Sequence, residues 1–484
     1  MTQPDAVVVG AGPNGLAAAL TLARAGLRVE VFEGAAEPGG GCRTAELTLP
    51  GFRHDVCSTV HALAAASPFF AGSDLAARGV RLLTPKVAAA HPLDGGRAAA
   101  LSGSVTQTAA QLGGGDTRAY ERLMGPLVRD SDAITALTLA PLRSVPARPL
   151  GAVRFGTQGM LPATVLARRL RTAEGRALLA GMAGHSIRPL TAPLTGAFGL
   201  TMLMLAHTTG WPVIAGGSAR LIEAMTGELT DLGGSVTTGT WITRLSDLPA
   251  AKPVVLDVTP RQLLGLAADR LPPGYRRAMR RFRYGPGVCK ADWALSGPVP
   301  WQNEECRQTV TVHVGGTLEE IARSEAAVAA GQHPQQPFCL VTQPGVVDDS
   351  RAPAGKHVLW GYCHVPPGSE VDMTGWIEAQ IERFAPGFTD LILARSVRTA
   401  ADMERYNPGY VGGDIAAGEG TLRQTFGRPT WRWNPYRTPL PGVYLCSGST
   451  PPGGGVHGMC GMWAARTALR DLSITEPPVG SVSS

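Results

Sequence analysis

The strongest constraint on the fold is a glycine pattern near the start of the chain, Gly10-x-Gly12-x-x-Gly15. It lies between an apolar run, Asp5–Val9, which is typical of a buried parallel strand, and a predicted helix, Pro13–Ala25. Glycines here allow a tight turn and let the backbone approach a pyrophosphate, and the helix N-terminus offers free N–H groups to phosphates. The pattern therefore predicts a β-α-β nucleotide-binding unit.

An acidic residue stands where such a unit needs one. A second strand is predicted at Arg28–Phe32, and Glu33 follows it directly. A carboxylate at this strand end can accept hydrogen bonds from both ribose hydroxyls. We therefore expect Gly10, Gly12, Gly15 and Glu33 to bind a dinucleotide; the alternative is a glycine-rich turn without a ligand.

Composition excludes several classes of protein. Of the 484 residues, 44% are hydrophobic and 17% are charged, with 61 glycines and 39 prolines. The chain is too apolar to be disordered, and neither collagen nor a coiled coil has this composition. The net charge of +6 is small for this length, and no basic motif is interleaved with aromatic residues, so we expect no nucleic-acid partner.

The eight cysteines form no C-x-x-C pair, so neither a zinc ribbon nor a redox-active disulfide is indicated. We expect free thiols, no bound metal and a cytoplasmic location. The first residues, MTQPDAVVVGAG, lack the basic start of a signal peptide.

Residues 189–219 carry no Asp, Glu, Lys or Arg and come nearest to a membrane span. Their apolar centre, Leu194–Ala206, is shorter than the about 20 residues that a span needs. Pro189, Pro193 and Gly210 also interrupt the segment. We expect a buried helix or the wall of an apolar cavity, with a membrane span as the alternative.

The order of predicted elements indicates an α/β protein with two interleaved domains. One is a doubly wound, Rossmann-like domain, and the other is a substrate domain with a mixed sheet and helices. The first is predicted at 1–85, 214–272 and 435–476, the second at 86–213 (mainly helical) and 273–434 (mixed sheet), and a disordered tail at 477–484. The predicted elements include helical segments Thr117–Leu127 and Leu161–Met182 and strands Ser235–Leu245 and Val443–Ser447.

A second motif, Gly39-Gly40-Gly41-Cys42-Arg43, follows Glu33 closely. An NAD domain has no need of a glycine cluster here. In flavoproteins the FAD pyrophosphate and ribityl chain pass this loop, and the Arg43 guanidinium can offer a fixed fork to phosphate. The motif favours FAD over NAD; the alternative is an ordinary loop with a surface arginine.

The third motif lies at the other end of the chain, where a strand leads into STPPGGGVHG and a helix predicted to start near Val456. That helix N-terminus would face an anionic or electron-rich group, such as the N1–C2=O edge of a reduced flavin. Gly453-x-Gly455-x-x-Gly458 also fits the dinucleotide pattern, but too little chain follows it for a second β-α-β unit.

Together these three motifs resemble the phytoene desaturase-like flavoproteins of the amine oxidase superfamily, over nearly the whole chain. The phytoene dehydrogenase-related group is the most similar branch. The resemblance implies FAD as the sole cofactor. It implies cofactor contacts from Gly40, Gly41, Arg43, Ile242, Gly448, Ser449, Gly455 and Val456, in addition to Gly10, Gly12, Gly15 and Glu33.

The chain departs from the family pattern at two places. The family's C-terminal loop usually reads G-V-P-G, whereas this chain has Gly455-Val456-His457-Gly458. It also lacks the C-x-x-x-x-C or C-x-x-C pair of disulfide reductases, so we discard disulfide chemistry.

Two residues are candidates for catalysis. The resemblance places Lys290, on a strand before Trp301, near flavin N5, as in amine oxidases; the alternatives are an ion pair with Asp292 or simple exposure. His457 lies in the loop expected beside the flavin. A neutral imidazole there could act as an acid or base; the alternative is a histidine that packs or hydrogen-bonds backbone.

Weaker candidates lie in three other segments. His54 and His61 follow the glycine cluster, where the chain is expected to lead to the flavin. Tyr410 and Asp414 belong to a long glycine-rich loop that shapes a site or lies on the surface. The arginines of 276–283 form a basic run that either contacts anionic lipid or covers a solvated helix face.

The expected activity is an FAD-dependent oxidation that removes hydride from a largely apolar small molecule, such as an isoprenoid or a polyene. Oxygen, a quinone or another carrier would reoxidise the flavin. The alternatives are an amine oxidase, a redox-neutral isomerase that uses reduced flavin, and a non-catalytic escort protein that binds prenyl groups. The sequence does not predict the oligomeric state.

Overall fold

The structure is a computed structural model that describes residues 3–141 and 148–475. The predicted tail at 477–484 lies outside the described residues. The strands are β1 Ala6–Val9, β2 Val29–Phe32, β3 Thr44–Glu46, β4 Arg53–Asp55, β5 Leu82–Leu83, β6 Val87–Leu93, β7 Arg97–Ser102, β8 Val213–Ile214, β9 Ser235–Thr237, β10 Val254–Leu256, β11 Gly287–Leu295, β12 Thr309–Val314, β13 Cys339–Thr342, β14 His357–Val365, β15 Ile392–Arg398 and β16 Val443–Leu445.

The helices alternate with strands near the ends of the chain and follow one another in its second quarter. They are α1 Pro13–Arg24, α2 Ala62–Ala65, α3 Pro68–Ala71, α4 Val105–Leu112, α5 Asp116–Arg129, α6 Ser131–Thr138, α7 Pro149–Gly159, α8 Ala163–Leu166, α9 Ala173–Gly184, α10 Thr195–Thr208, α11 Ala219–Asp231, α12 Pro260–Ala267, α13 Pro273–Arg280, α14 Glu304–Arg307, α15 Leu318–Ala329, α16 Thr374–Phe384, α17 Ala400–Tyr406, α18 Leu422–Gly427 and α19 Met459–Asp471.

The first sheet is fully parallel, with the order β16-β10-β1-β2-β9. Its central strand β1 is an uninterrupted buried apolar run, as expected for a strand covered on both faces. Helices α1, α11 and α19 pack on it. At the crossing of α1 and α19, a Cβ on Gly461 would lie 1.9 Å from the Asn14 carbonyl oxygen, so only glycine permits this approach.

The second sheet has seven strands in the order β15-β11-β14-β13-β12-β6-β7. All its pairs are antiparallel except β12 with β6. Helices α9 and α10, with the elements around them, form an apolar core against one part of this sheet. A parallel sheet combined with a mixed sheet and helices confirms the predicted α/β fold class. The limits of the two domains stay a prediction.

Most elements match their predicted bounds within one or two residues, but three predictions were wrong. The strand predicted to run to Leu245 ends at Thr237. Gly239 turns the chain with φ +64°, and its N–H donates to the Ala35 carbonyl oxygen in the loop that follows β2. The helical segment 161–182 is divided, since Leu170 is extended and Thr172 caps a new helix.

The third correction concerns the last helix. It starts at Met459 rather than near Val456, because Gly458 turns the chain with φ +68°. Val456 and His457 therefore lie in the preceding loop. None of the helices in the two described ranges is long and apolar enough to cross a membrane.

Candidate active site

A cavity of about 1190 Å³ extends from the carboxyl ends of the parallel strands to the inner face of the seven-stranded sheet. Sites for single small molecules commonly measure about 300–1000 Å³. The cavity therefore has room for a dinucleotide and a second molecule. We call its two parts the dinucleotide end and the apolar arm.

The dinucleotide end is built on the turn between β1 and α1. Gly10 and Gly12 line the cavity, and Gly12 is the N-cap of α1. Gly15 lies behind them, since a Cβ there would be 1.9 Å from the Gly10 carbonyl oxygen. The turn thus presents backbone and the N-terminus of a 12-residue helix to the cavity, which suits a pyrophosphate.

Glu33 lies in the cavity wall directly after β2. Its Oε2 accepts a hydrogen bond from the Ala11 N–H at 2.7 Å, and its Oε1 accepts one from the Ala35 N–H at 2.9 Å. The Arg43 guanidinium is 3.6 Å from Oε1. These contacts fix the carboxylate at the predicted ribose position; ribose binding itself stays a prediction.

Asp257 is a member of this end that the sequence analysis missed. Its Oδ2 accepts a hydrogen bond from the Gly15 N–H at 2.9 Å. Burial, with a smaller contribution from the Glu33 charge, raises the pKa of Asp257 to about 7. Its signal in the sequence was its place as the last residue of a strand predicted at Pro253–Asp257, and in the structure it follows β10 directly, at the edge where Glu33 also lies.

The glycine cluster closes over the first turn. Gly40 adopts φ +54°, and a Cβ on Gly41 would lie 2.4 Å from the Tyr410 hydroxyl. The Arg43 guanidinium lines the cavity and donates to the Glu37 and Pro38 carbonyl oxygens at 2.6 and 3.3 Å. A phosphate contact from Arg43 stays a prediction.

The C-terminal turn lines the middle of the cavity. Gly448, Gly455 and Val456 are lining residues, and so is Ile242 near the dinucleotide end. Ser449 is not among them: it is buried, and its hydroxyl donates to the Ala417 carbonyl oxygen at 3.0 Å.

Arg428 is a buried cation at this turn, and no sequence signal indicated it. Its Nη1 donates to the Gly448 carbonyl oxygen at 3.1 Å, and its side chain lines the cavity. No carboxylate of the described residues lies within 4.0 Å of its guanidinium. A buried arginine without an ion pair favours an anionic ligand.

FAD fits these residues. The glycine turn and helix N-terminus suit its pyrophosphate, Glu33 suits a ribose, and Arg428 adds positive charge beside the C-terminal turn. A metal site has no such support: across the described parts of the chain, no three His, Cys, Asp or Glu side chains are grouped to hold an ion.

His457 is buried in the cavity wall with both ring nitrogens bonded to backbone. Nδ1 accepts from the Met459 N–H at 3.0 Å, so Nε2 carries the proton and donates to the Gly453 carbonyl oxygen at 3.1 Å. Burial lowers the pKa of His457 to about 4. The ring is therefore neutral, and its contacts match the alternative of a histidine that orders backbone.

Lys290 is buried and does not line the cavity. Its Nζ is 2.5 Å from Asp292 Oδ1 and 4.8 Å from the centre of the Trp360 ring, which does line it. Burial lowers the pKa of Lys290; burial also acts to raise that of Asp292, but the ammonium holds it below its ordinary value. The ion pair with Asp292, one of the predicted alternatives, is present, and a role for Lys290 in the reaction stays a prediction.

Of the weaker candidates, two line the cavity and two lie outside it. His61 and Tyr410 line the cavity; burial lowers the pKa of His61 to about 4, and its Nε2 bonds the Ser218 hydroxyl at 2.9 Å. His54 bonds Thr48 and lies 3.4 Å from Asp292, away from the cavity. Asp414 is buried and accepts from the Gly285 and Gly418 N–H groups, so it orders its loop.

The apolar arm is enclosed by α7, α10 and the inner face of the seven-stranded sheet. Its apolar wall is formed by Phe155, Met160, Ile187, Leu194, Ala197, Phe198, Met202, Trp211, Leu340 and Trp360. Helix α10 is the apolar segment that was predicted to be a buried helix or a cavity wall, and it is both.

Comparisons with known proteins agree with this geometry. Residues 8–71 match the model of the NAD(P)-binding Rossmann-like domain. The chain is 27% identical to pyridine nucleotide-disulfide oxidoreductase domain-containing protein 2 of Rattus norvegicus, over 97% of this chain and 94% of that protein. It is 26% identical to hydroxyneurosporene desaturase of Cereibacter sphaeroides, over 97% and 98% of the two chains.

Among solved structures, a double mutant of putrescine oxidase superimposes with a TM-score of 0.62 at 16% identity, over 97% of this chain and 99% of that one. This likeness shows the fold. With the dinucleotide end and the full-length similarity to a desaturase, it indicates a flavin-type oxidoreductase that is similar in sequence to a desaturase and in fold to an amine oxidase.

Proposed function

We propose that this protein oxidises a largely apolar small molecule with FAD as the hydride acceptor. The observation that carries the proposal is the apolar arm, which continues directly from the dinucleotide end and is lined mainly by aromatic and aliphatic side chains. FAD, when bound, accepts the hydride of a two-electron oxidation. The substrate loses a proton as well, and a carbon–carbon or carbon–oxygen double bond forms.

The chain's own residues bind the cofactor, orient the substrate and exclude water. We assign the pyrophosphate to Gly10, Gly12 and the start of α1, and a ribose to Glu33. The phytoene desaturase-like contacts of Gly40, Gly41, Arg43, Ile242, Gly448, Gly455 and Val456 belong to the same proposal, and Gly15 and Ser449 support it from behind. The apolar walls orient the substrate by shape and keep water from the reacting carbon.

Amine oxidation is the second candidate, favoured by the likeness to putrescine oxidase. An amine substrate is cationic at neutral pH. Among the described residues that line the cavity, Glu33 and Asp257 are the acidic ones, and both lie at the dinucleotide end. The apolar arm thus offers no carboxylate to an ammonium group, which favours a neutral substrate.

One anaerobic experiment separates these functions. The purified protein is titrated with isoprenoids, polyenes and amines of similar size, and flavin absorbance is followed. We expect bleaching by an apolar neutral compound and recovery with oxygen or a quinone. Bleaching by amines alone would favour the second candidate, product formation without bleaching would favour an isomerase, and a colourless protein that takes up no FAD would favour an escort protein.

We also propose peripheral contact with an anionic membrane. Trp431 and Trp433 are 63% and 82% exposed, and Phe426, which lines the cavity, is 47% exposed. Arg281 and Arg283, from the basic run of 276–283, lie around the same surface groove as Trp431. Exposed tryptophans beside arginines suit the headgroup region of an anionic bilayer, from which an apolar substrate could enter.

A further inference from the structure

We propose that the apolar arm contains a polar subsite that binds a neutral oxygen atom, a hydroxyl or carbonyl, of an otherwise apolar substrate. The subsite is formed by four side chains: His185, Ser186, Thr311 and Tyr362. The inference deepens the proposed function, because it narrows the substrate from an apolar molecule to an oxygenated one.

The sheet brings two of these groups onto one face. His313, Leu340 and Tyr362 lie in register across β12, β13 and β14. Thr311 precedes His313 by two positions and therefore points to the same side of the sheet. Thr311, Leu340 and Tyr362 all line the cavity, so this face is its floor.

The end of α9 brings the other two groups. His185 caps the C-terminus of α9, and its Nε2 lies 3.0 Å from Nε2 of His313. Ser186 follows it in the chain. The histidine contact therefore holds His185 and Ser186 against the strand that carries Thr311.

These groups have unused hydrogen-bonding capacity. Ser186 Oγ and Thr311 Oγ1 are buried, in side chains 6% and 3% exposed, and have no hydrogen-bond partner among the described residues. The Tyr362 hydroxyl and His185 Nδ1 also lack a protein partner in the described parts of the chain. A buried hydroxyl without a partner is costly, and the cost disappears when a ligand oxygen bonds it.

The protonation of the two histidines indicates what the subsite offers. Nδ1 of His313 is buried without a partner, and a bare acceptor is tolerated there better than an N–H. Nε2 of His313 then donates to His185, which leaves an N–H at Nδ1 of His185. Burial lowers the pKa of His185 to about 3, so the ring stays neutral. One N–H and three hydroxyls suit a neutral oxygen and offer no charge to an ammonium group.

The test uses four eight-carbon probes with the FAD-loaded protein: 1-octanol, octanal, 1-chlorooctane and octylamine. Equilibrium dialysis measures their affinities without requiring turnover. We expect 1-octanol or octanal to bind about tenfold tighter than 1-chlorooctane, which has the size but not the hydrogen bond. Thr311→Val and Ser186→Ala should each lower this ratio severalfold and change 1-chlorooctane binding less than about twofold.

The difference in hydration between the probes is the same for wild type and every variant. It therefore cancels when their affinity ratios are compared, and a change in the ratio reports the hydrogen bond. The matched control is Thr425→Val, which removes a cavity-lining hydroxyl on α18, a helix that contributes none of the four groups. A wild-type ratio near one, an equal loss in Thr425→Val, tighter binding of octylamine, or no binding of any probe would overturn the subsite. Failure of the proposed function would instead appear as absent FAD or absent flavin reduction.

Discussion

The Asp257 carboxylate accepts a hydrogen bond from the Gly15 N–H and thereby joins the end of β10 to the first turn of α1. Both residues lie directly behind the glycine turn, and a Cβ on Gly10 would lie 3.0 Å from the Asp257 Cβ. The turn that we assign to the pyrophosphate is therefore supported by a carboxyl group whose pKa burial raises to about 7.

The first prediction follows from this carboxyl group. Burial raises the pKa of Asp257 from 3.8 to about 7, so between these values the folded protein keeps a proton that the unfolded chain has released. The group's contribution to the free energy of unfolding is fully present below pH 4 and is lost as pH rises toward 7, by about 4 kcal/mol in total. Thermal unfolding of wild type and Asp257→Asn from pH 5 to pH 8 measures it.

Asparagine keeps an oxygen that can accept the Gly15 N–H and carries no charge. We expect the stability of the variant relative to wild type to increase steadily from pH 5 to about pH 7 and to level off toward pH 8. A stability difference that is constant across this range would show that Asp257 does not titrate within it.

The second prediction concerns Glu33. Glu33→Ala removes the proposed ribose acceptor and the two backbone contacts to Ala11 and Ala35. FAD affinity should fall by about 1–3 kcal/mol, because a buried hydrogen-bonding group is left unpaired. Quenching of FAD fluorescence on binding measures the dissociation constant.

Glu33→Gln is the matched comparison, since it keeps one acceptor oxygen and should lose less affinity. Gly12→Val should exclude FAD by steric overlap. Equal FAD affinity in wild type and Glu33→Ala would show that Glu33 does not bind the ribose.

Local patterns made the first turn and Glu33 predictable, since Gly10, Gly12, Gly15 and Glu33 lie close together in the chain. Asp257 was missed because its partner Gly15 is 242 positions away. Arg428 was missed because its partner Gly448 lies in a separate turn, 20 positions further along the chain. Long-range contacts of this kind leave no periodicity in the sequence.

The predicted bounds of helices and strands were wrong where the conformation of a single turn residue determines where the element begins or ends. The apolar runs gave β1 and β2 within one residue, but the start of α19 depends on the left-handed conformation of Gly458. That shift places His457 before the helix, where its Nδ1 bonds the Met459 N–H. The sequence analysis placed His457 at the N-terminus of the helix. From that position we could not predict that both ring nitrogens form hydrogen bonds with the backbone.

The third prediction tests the membrane surface. Trp431→Ala/Trp433→Ala should reduce flotation with phosphatidylserine-containing liposomes at low salt, because exposed aromatic side chains are lost from the headgroup region. Arg281→Gln/Arg283→Gln should reduce it more at low than at high salt, since salt screens the arginine charges.

Trp376→Ala is the control, because Trp376 is 40% exposed on α16, outside the proposed surface. Two results would argue against this surface: wild-type protein that stays at the bottom of the gradient at low salt, or an equal reduction of flotation in Trp376→Ala.

The last prediction concerns Lys290 and Asp292. Lys290→Met leaves a buried carboxylate without its ammonium partner, in a side chain 1% exposed, and should cost about 3–5 kcal/mol of stability. Lys290→Met/Asp292→Asn removes both charges and should recover most of this loss. Urea unfolding of the FAD-loaded proteins measures both effects.

The double variant also decides whether Lys290 acts in the reaction. Lys290 does not line the cavity and contacts its wall at Trp360. We therefore expect the neutral pair to keep flavin reduction and reoxidation within about threefold of wild type, whereas a lost proton-transfer group typically costs about 10²–10⁴ in rate. A loss of that size in a stable double variant would place Lys290 in contact with the flavin or its water. Rates near wild type would leave it as the residue that positions Trp360 in the cavity wall.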